Sequence, residues 1–120
     1  SENTVASSGR QEMSLSSVSQ EYEEVEFYYT NSINDGLMQW EKMAEAGLVS
    51  EQEQEMMEVE LAEFENVYDR LQNDLAASPN DERVINAMLE YYQKKLSLIT
   101  MIVNKLEEVK QKNESHETEI

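Results

Sequence analysis

Few residues in this 120-residue chain have the type and spacing for chemistry. The one histidine, His116, stands in a polar run at residues 113–120, and no Ser/His/Asp set can be assembled around it. There is no cysteine, so thiol nucleophiles, thiolate metal sites and disulfides are excluded. No glycine-rich loop is present to cradle a phosphate. The stretch from Asn31 to Gly36 resembles the opening of a calcium loop only at its last two positions. Ile33 takes a ligand position, and Lys42 stands where the closing glutamate is needed. Glutamates at helical spacing, such as Glu51/Glu55 and Glu58/Glu65, could gather hard cations, but a solvated acidic face is the simpler reading. The seven methionines raise the thought of copper. Met56, Met57, Met88 and Met101, however, fall on or beside apolar stripes, which points to core packing, and Met13 falls in the N-terminal tail. Asn113-Glu114-Ser115 matches a glycosylation sequon with no further signal behind it. The sequence thus nominates no catalytic, cofactor-binding or metal-ligating residues.

The aromatic runs Phe27-Tyr28-Tyr29 and Tyr91-Tyr92 say more. Successive helical residues are rotated by about 100°, so one ring of each run faces a core while its neighbour lies on the flank. Tyr28, Tyr29, Tyr91 and Tyr92 are therefore the candidate partner surface. The competing assignment is a set of tyrosines sealing a bundle edge with wet hydroxyls.

Long helices must position these rings. Tyr22, Val25, Tyr29, Ile33, Leu37, Trp40 and Ala44 recur at three- and four-residue spacing behind a Ser19 cap and an acidic first turn, predicting a helix over about 19–46. Leu15 and Val18 precede it as a staple. Gly36 inside the helix costs about 1 kcal/mol relative to alanine, which points to a close helix crossing or else a local kink. Gly47 reads as the stop. Ser50 with Glu53 forms a capping box for a second helix over 51–77, whose seam is Met57, Leu61, Phe64, Tyr68, Leu71 and Leu75. After a break at residues 76–81, a third helix is predicted over about 80–112, capped by Ser78 or by Asn80. Ile85, Leu89, Tyr92, Leu96, Ile99, Val103 and Leu106 form its seam. Met88, Tyr91, Leu98, Met101 and Ile102 widen that seam enough to touch two partner helices. Pro79, Arg83, Ala87 and Met88 at its opening are assigned to fixing the turn and the core. Short connections make sequential helices antiparallel. The fold expected is an all-α, up-down-up three-helix bundle over residues 14–112, with helices of roughly 40 Å. A disordered linker is expected at 1–13 and a polar tail at 113–120.

Composition narrows the partners. The formal charge is −17, from 26 acidic and 9 basic residues. Phosphate backbones and anionic membrane surfaces repel such a chain, so no nucleic acid or lipid headgroup is expected as partner. Residues 20–46 carry −6, residues 51–77 carry −8 and residues 81–112 carry +1. Arg83, Lys94, Lys95 and Lys105 are thus expected to relieve the two acidic helices from the third. No run approaches the ~20 apolar residues of a membrane span. The chain starts at Ser1 without a signal-peptide core and reads as a mature or truncated piece, whose anchoring segment would lie upstream.

Three stretches together resemble a known family. They are the run from Leu15 to Glu26 with Tyr28-Tyr29, the run from Pro79 to Met88, and Tyr92 to Leu96. They are similar to Bacteroidetes membrane proteins described as anti-sigma factors, over roughly residues 15–110 and most specifically over 83–96. Gln20 stands where relatives tend to have proline. In that family a short cytoplasmic part precedes one membrane span, and a helical region of this length follows outside the inner membrane. This chain lacks the first two parts, and the family has no catalytic motif to carry over. The resemblance implies a periplasmic, membrane-tethered sensing or docking domain that needs no cofactor and acts through an unidentified protein partner. A Glu- and Met-rich metal- or stress-responsive protein is the alternative, as is a structural bundle that dimerises through its third helix.

Overall fold

The computed structural model describes residues 13–119. A short 3₁₀ turn at Leu15–Ser17 leads into helices α1 (Gln20–Glu45), α2 (Glu51–Ala77) and α3 (Glu82–Glu119). The described residues form an all-helical bundle, as the sequence predicts. Tyr29 faces Tyr92 and Gly36 faces Ile99, so α1 and α3 run the same way. Tyr68 meets Tyr91 while Met57 lies near Leu98 and Ile102, so α2 runs against α3.

Local chemistry sets the helix ends. Ser19 is extended and its hydroxyl accepts from the Tyr22 N–H at 3.2 Å, capping α1. At the other end Gly47 sits at φ 78°. Its N–H reaches the Ala44 carbonyl and the Leu48 N–H reaches Met43, the paired bonds of a Schellman stop. The Ser50/Glu53 capping box is complete in both directions, at 3.1 and 3.0 Å. Replacing Ser50 with alanine is expected to cost about 1 kcal/mol, read as a lowered Tm with unchanged helicity below the transition.

The start of α3 differs from expectation. Neither Ser78 nor Asn80 caps it. Pro79 and Asn80 are the central residues of a turn closed by Asp81 N–H on the Ser78 carbonyl, and Asp81 then caps the helix. Its carboxylate accepts from the Arg83 backbone N–H at 2.9 Å, and its carbonyl accepts from Val84 and Ile85. Pro79 thus fixes a turn, as expected, because its fixed φ suits the second position of a turn as well as it suits a first helical turn. The other end also differs. α3 continues through residues 113–119, where the sequence suggests only a polar tail; no glycine or proline breaks the helix there. The predicted linker at 1–12 lies outside the described residues. Met13, assigned to that linker, is half-buried against the core.

The core is organised on α3. It supplies Ile85, Met88, Tyr91, Tyr92, Ile99, Val103 and Leu106, against three buried side chains from α1 and two from α2. α3 packs along both other helices, whereas α1 and α2 meet only weakly. The broad stripe on α3 requires this layout, because two separate sectors of one helix need two partners. Of the opening residues, Met88 is completely buried and Ala87 partly so. Leu15, also with no accessible surface, closes the bundle from the 3₁₀ turn and carries out the staple role expected of it.

The expected electrostatic relief is met in part: the Glu65 charge of α2 favours the Lys95 ammonium of α3, while the close ion pairs form elsewhere. Arg83 is 92% exposed at its side chain and pairs with Asp81, holding that carboxyl below its usual range. Lys94 pairs with Glu90 on its own helix. Both ion pairs among the described residues therefore stay at or within α3 and do not bridge helices. Long side chains on a thin bundle find local partners one turn away more readily than partners across a groove.

Candidate functional site

The tyrosines nominated from the sequence converge, but most of them turn inward. Tyr91 and Tyr92 are both only 7% exposed, Tyr29 is half-buried, and Tyr28 alone lies open at 60%. Tyr91 and Tyr92 are thus not a partner surface. Because α3 lies between two helices, the 100° step between them leaves both rings inside helix interfaces instead of sending one to solvent. Tyr92 stacks on Tyr29 of α1, with centroids 5.8 Å apart and planes within 8°. Tyr91 meets Phe64 and Tyr68 of α2 at 5.9 and 5.1 Å.

A hydrogen-bonded chain runs through this cluster. The Tyr92 hydroxyl donates to Glu26 Oε2 at 2.8 Å. Tyr68 of α2 lies edge-on beside the Tyr92 ring, with centroids 6.1 Å apart. On its other oxygen, Glu26 accepts from the Ser14 hydroxyl at 3.1 Å, from the Ser16 N–H at 3.3 Å and from the Ser16 hydroxyl. One carboxylate therefore ties the 3₁₀ turn and α1 to α3, with α2 joined through the tyrosines. The sequence shows Glu26 only as one acid beside the seam residues Val25 and Tyr29, so this role was not legible there. Tyr92→Phe keeps the ring packing and removes one charge-assisted bond. The expected loss is about 1–2 kcal/mol, at the low end for such bonds because Glu26 keeps its serine donors. Denaturation of the single and Glu26→Gln double variants checks the coupling.

Chemically the cluster holds protons and does not release them. Burial, then the negative charge of its neighbours, pushes Tyr91 up to about 12, and burial raises Tyr68 and Tyr92 as well. Such phenols are neither bases nor nucleophiles near neutrality. Lys95 donates to the Tyr91 hydroxyl at 3.2 Å with its ammonium 5.6 Å from that ring, and burial lowers its pKa. The linkage predicts alkaline instability. A folded phenol pKa above the unfolded value of 10.0 stabilises the fold fully below pH 10, and that contribution is lost as pH rises from there through about 12. Lys95 works in the opposite sense and offsets part of it. Helical signal is expected to fall together with the rise of tyrosinate absorbance in this window, and Tyr91→Phe should move the onset upward.

The open surface lies elsewhere. Phe27 and Tyr28 project from α1 at 68% and 60% exposure. On the far side, a groove of ≈ 220 Å³ runs between the first half of α2 and the middle of α3. Trp40 and Met57 form its floor, Met56, Leu98, Met101 and Ile102 form its walls, and Glu53 and Glu60 stand at its edge. Met56 and Met101, read from the sequence as core, are instead 63% and 53% exposed. The doublet Met56-Met57 carries the missed signal, because only one of two successive helical residues can occupy the seam.

No three His, Asp or Glu side chains among the described residues converge as a metal ion requires. The His116 side chain and the Ser115 hydroxyl of the sequon lie outside the described residues. Among the described residues, no helix is long and apolar enough to cross a membrane. Comparison of this chain with protein-family models, curated proteins and solved structures found no match.

Proposed function

We propose that this domain is a non-catalytic docking module, the extracytoplasmic sensing part of a membrane-anchored regulator similar to anti-sigma factors. The observation that carries the docking role is the clustering of exposed apolar side chains. Single exposed apolar residues are ordinary on soluble proteins. Here Phe27 and Tyr28 are adjacent on one helix, and Met56 and Met101 face each other across a groove. Surfaces of this kind serve protein partners. The titratable groups that do converge keep their protons in a packed interior, which suits a scaffold better than a catalyst. The location outside the inner membrane rests on the resemblance of residues 15–110 to the extracytoplasmic part of that family.

Two experiments on the whole membrane protein in cells test the two halves of this reading. Alkaline phosphatase fused after the domain should be active, since that reporter needs an oxidising compartment; an inactive, stably expressed fusion overturns the location. A photo-crosslinking residue at Phe27 or Met101 should yield a discrete protein adduct. Absence of any adduct from both positions overturns the docking role.

A further inference from the structure

We infer that the methionine-lined groove between α2 and α3 receives a basic amphipathic helix of a partner protein, a proposal that rests on the docking reading and specifies its surface and ligand chemistry. Three features select this occupant. The groove spans Glu53 to Glu60 on α2, about two helical turns, which matches two or three apolar anchors at i, i+3 or i+4 and i+7. Its walls are unbranched and soft. Met56 and Met101 can re-pack around anchors of different shape, as thioether side chains do at helix-binding surfaces. Its edge is acidic. Glu53 and Glu60 border it, no lysine or arginine lines it, and its α2 wall belongs to the helix that carries nine acids against one base.

Charge also decides against a second copy of this chain. Each copy brings a net charge of −17, so a self-association burying this edge would set like charges against one another. An incoming helix with lysine or arginine flanking its apolar stripe reverses that sign. Val59, 57% exposed and one turn from Met56, extends the apolar strip such a helix would cover.

Trp40 is the only tryptophan in the chain and lies on the groove floor, and because it also lines a neighbouring groove between α1 and α2, its fluorescence is read together with the Met56 and Met101 methyls, which line only this groove. The probes are two synthetic helical peptides of about four turns with the same leucine stripe, one flanked by lysines and the other by glutamates. At low ionic strength the lysine peptide should shift Trp40 emission and the methyl resonances of Met56 and Met101, while the glutamate peptide binds at least about tenfold more weakly. Met56→Glu and Met101→Glu are exposed changes that leave the fold intact, as circular dichroism will show. Met101→Glu should weaken the lysine peptide by about tenfold, through burial of an unpaired carboxylate. Equal binding of both peptides overturns the charge selection. Shifts confined to the Phe27–Tyr28 face, or no binding at all, overturn the groove. Sedimentation showing dimers broken by Met101→Glu overturns the choice of partner in favour of a second copy. In each case the docking role itself is still judged by the crosslinking experiment, so the two failures remain distinguishable.

Discussion

Gly36→Leu is expected to destabilise the bundle by about 3 kcal/mol or more, and Gly36→Ala by about 1 kcal/mol despite the better helix propensity of alanine. A Cβ at position 36 would sit 2.6 Å from Ile99 Cγ2, closer than real Cβ atoms approach any heavy atom. Ile99 cannot yield cheaply. It is 1% exposed, and Cγ2 hangs directly from a branched Cβ whose rotamer is set by its own helix. Alanine elsewhere in a helix interior gains about 1 kcal/mol over glycine, and here overpacking of roughly 1–3 kcal/mol outweighs that gain. Ile99 itself supplies the control. Ile99→Leu removes Cγ2 while conserving volume, so Gly36→Ala should cost less in that background than alone. Ile99→Val keeps Cγ2 and should give no relief. Urea denaturation of the double-mutant cycle measures the difference; equal costs in all three backgrounds would show that the close approach of α1 and α3 does not limit this position.

The second large effect separates two methionines of the same helix. Met88 has no accessible surface and lies in the core, so Met88→Ala should cost about 2–5 kcal/mol through lost burial and the cavity left behind. Met101 is 53% exposed in the groove, and Met101→Ala should stay within about 0.5 kcal/mol of the wild type. Met88→Leu, nearly conserving volume, should cost under about 1.5 kcal/mol. Thermal unfolding of the three variants checks this. If Met101→Ala proved as damaging as Met88→Ala, the groove would be part of the folded core and would have no room for a ligand.

These two residues also show how far the sequence reaches. Both lie near the apolar stripe of α3, and periodicity treats them alike. Only the placement of α2 distinguishes them. Its weak contact with α1 and its first half beside the groove leave the Met101 sector uncovered. The tyrosines repeat the lesson. The sequence places one ring inward and one outward at Tyr91-Tyr92, which holds for a helix with one neighbour, and Tyr28-Tyr29 obeys it. At Tyr91-Tyr92 the helix has two neighbours, and both rings are buried.

The sequence by itself determined most of what depends on neighbours along the chain, though not the Asp81 cap or the full reach of α3. The Ser19 and Ser50 caps, the glycine stop at Gly47, the turn at Pro79 and the seams of the helices follow from hydrogen bonds and periodicity within a few residues. It also pointed to a close crossing at Gly36, because a costly glycine inside a helix calls for a compensating contact. The tertiary structure alone decided what depends on partners from distant segments. It gathered Ser14, Ser16 and Tyr92 around Glu26, set Tyr68 beside Tyr92, kept the close ion pairs at or within α3, and opened the methionine groove. A helical period fixes the direction in which a side chain points, whereas burial and hydrogen bonding require knowing what stands there.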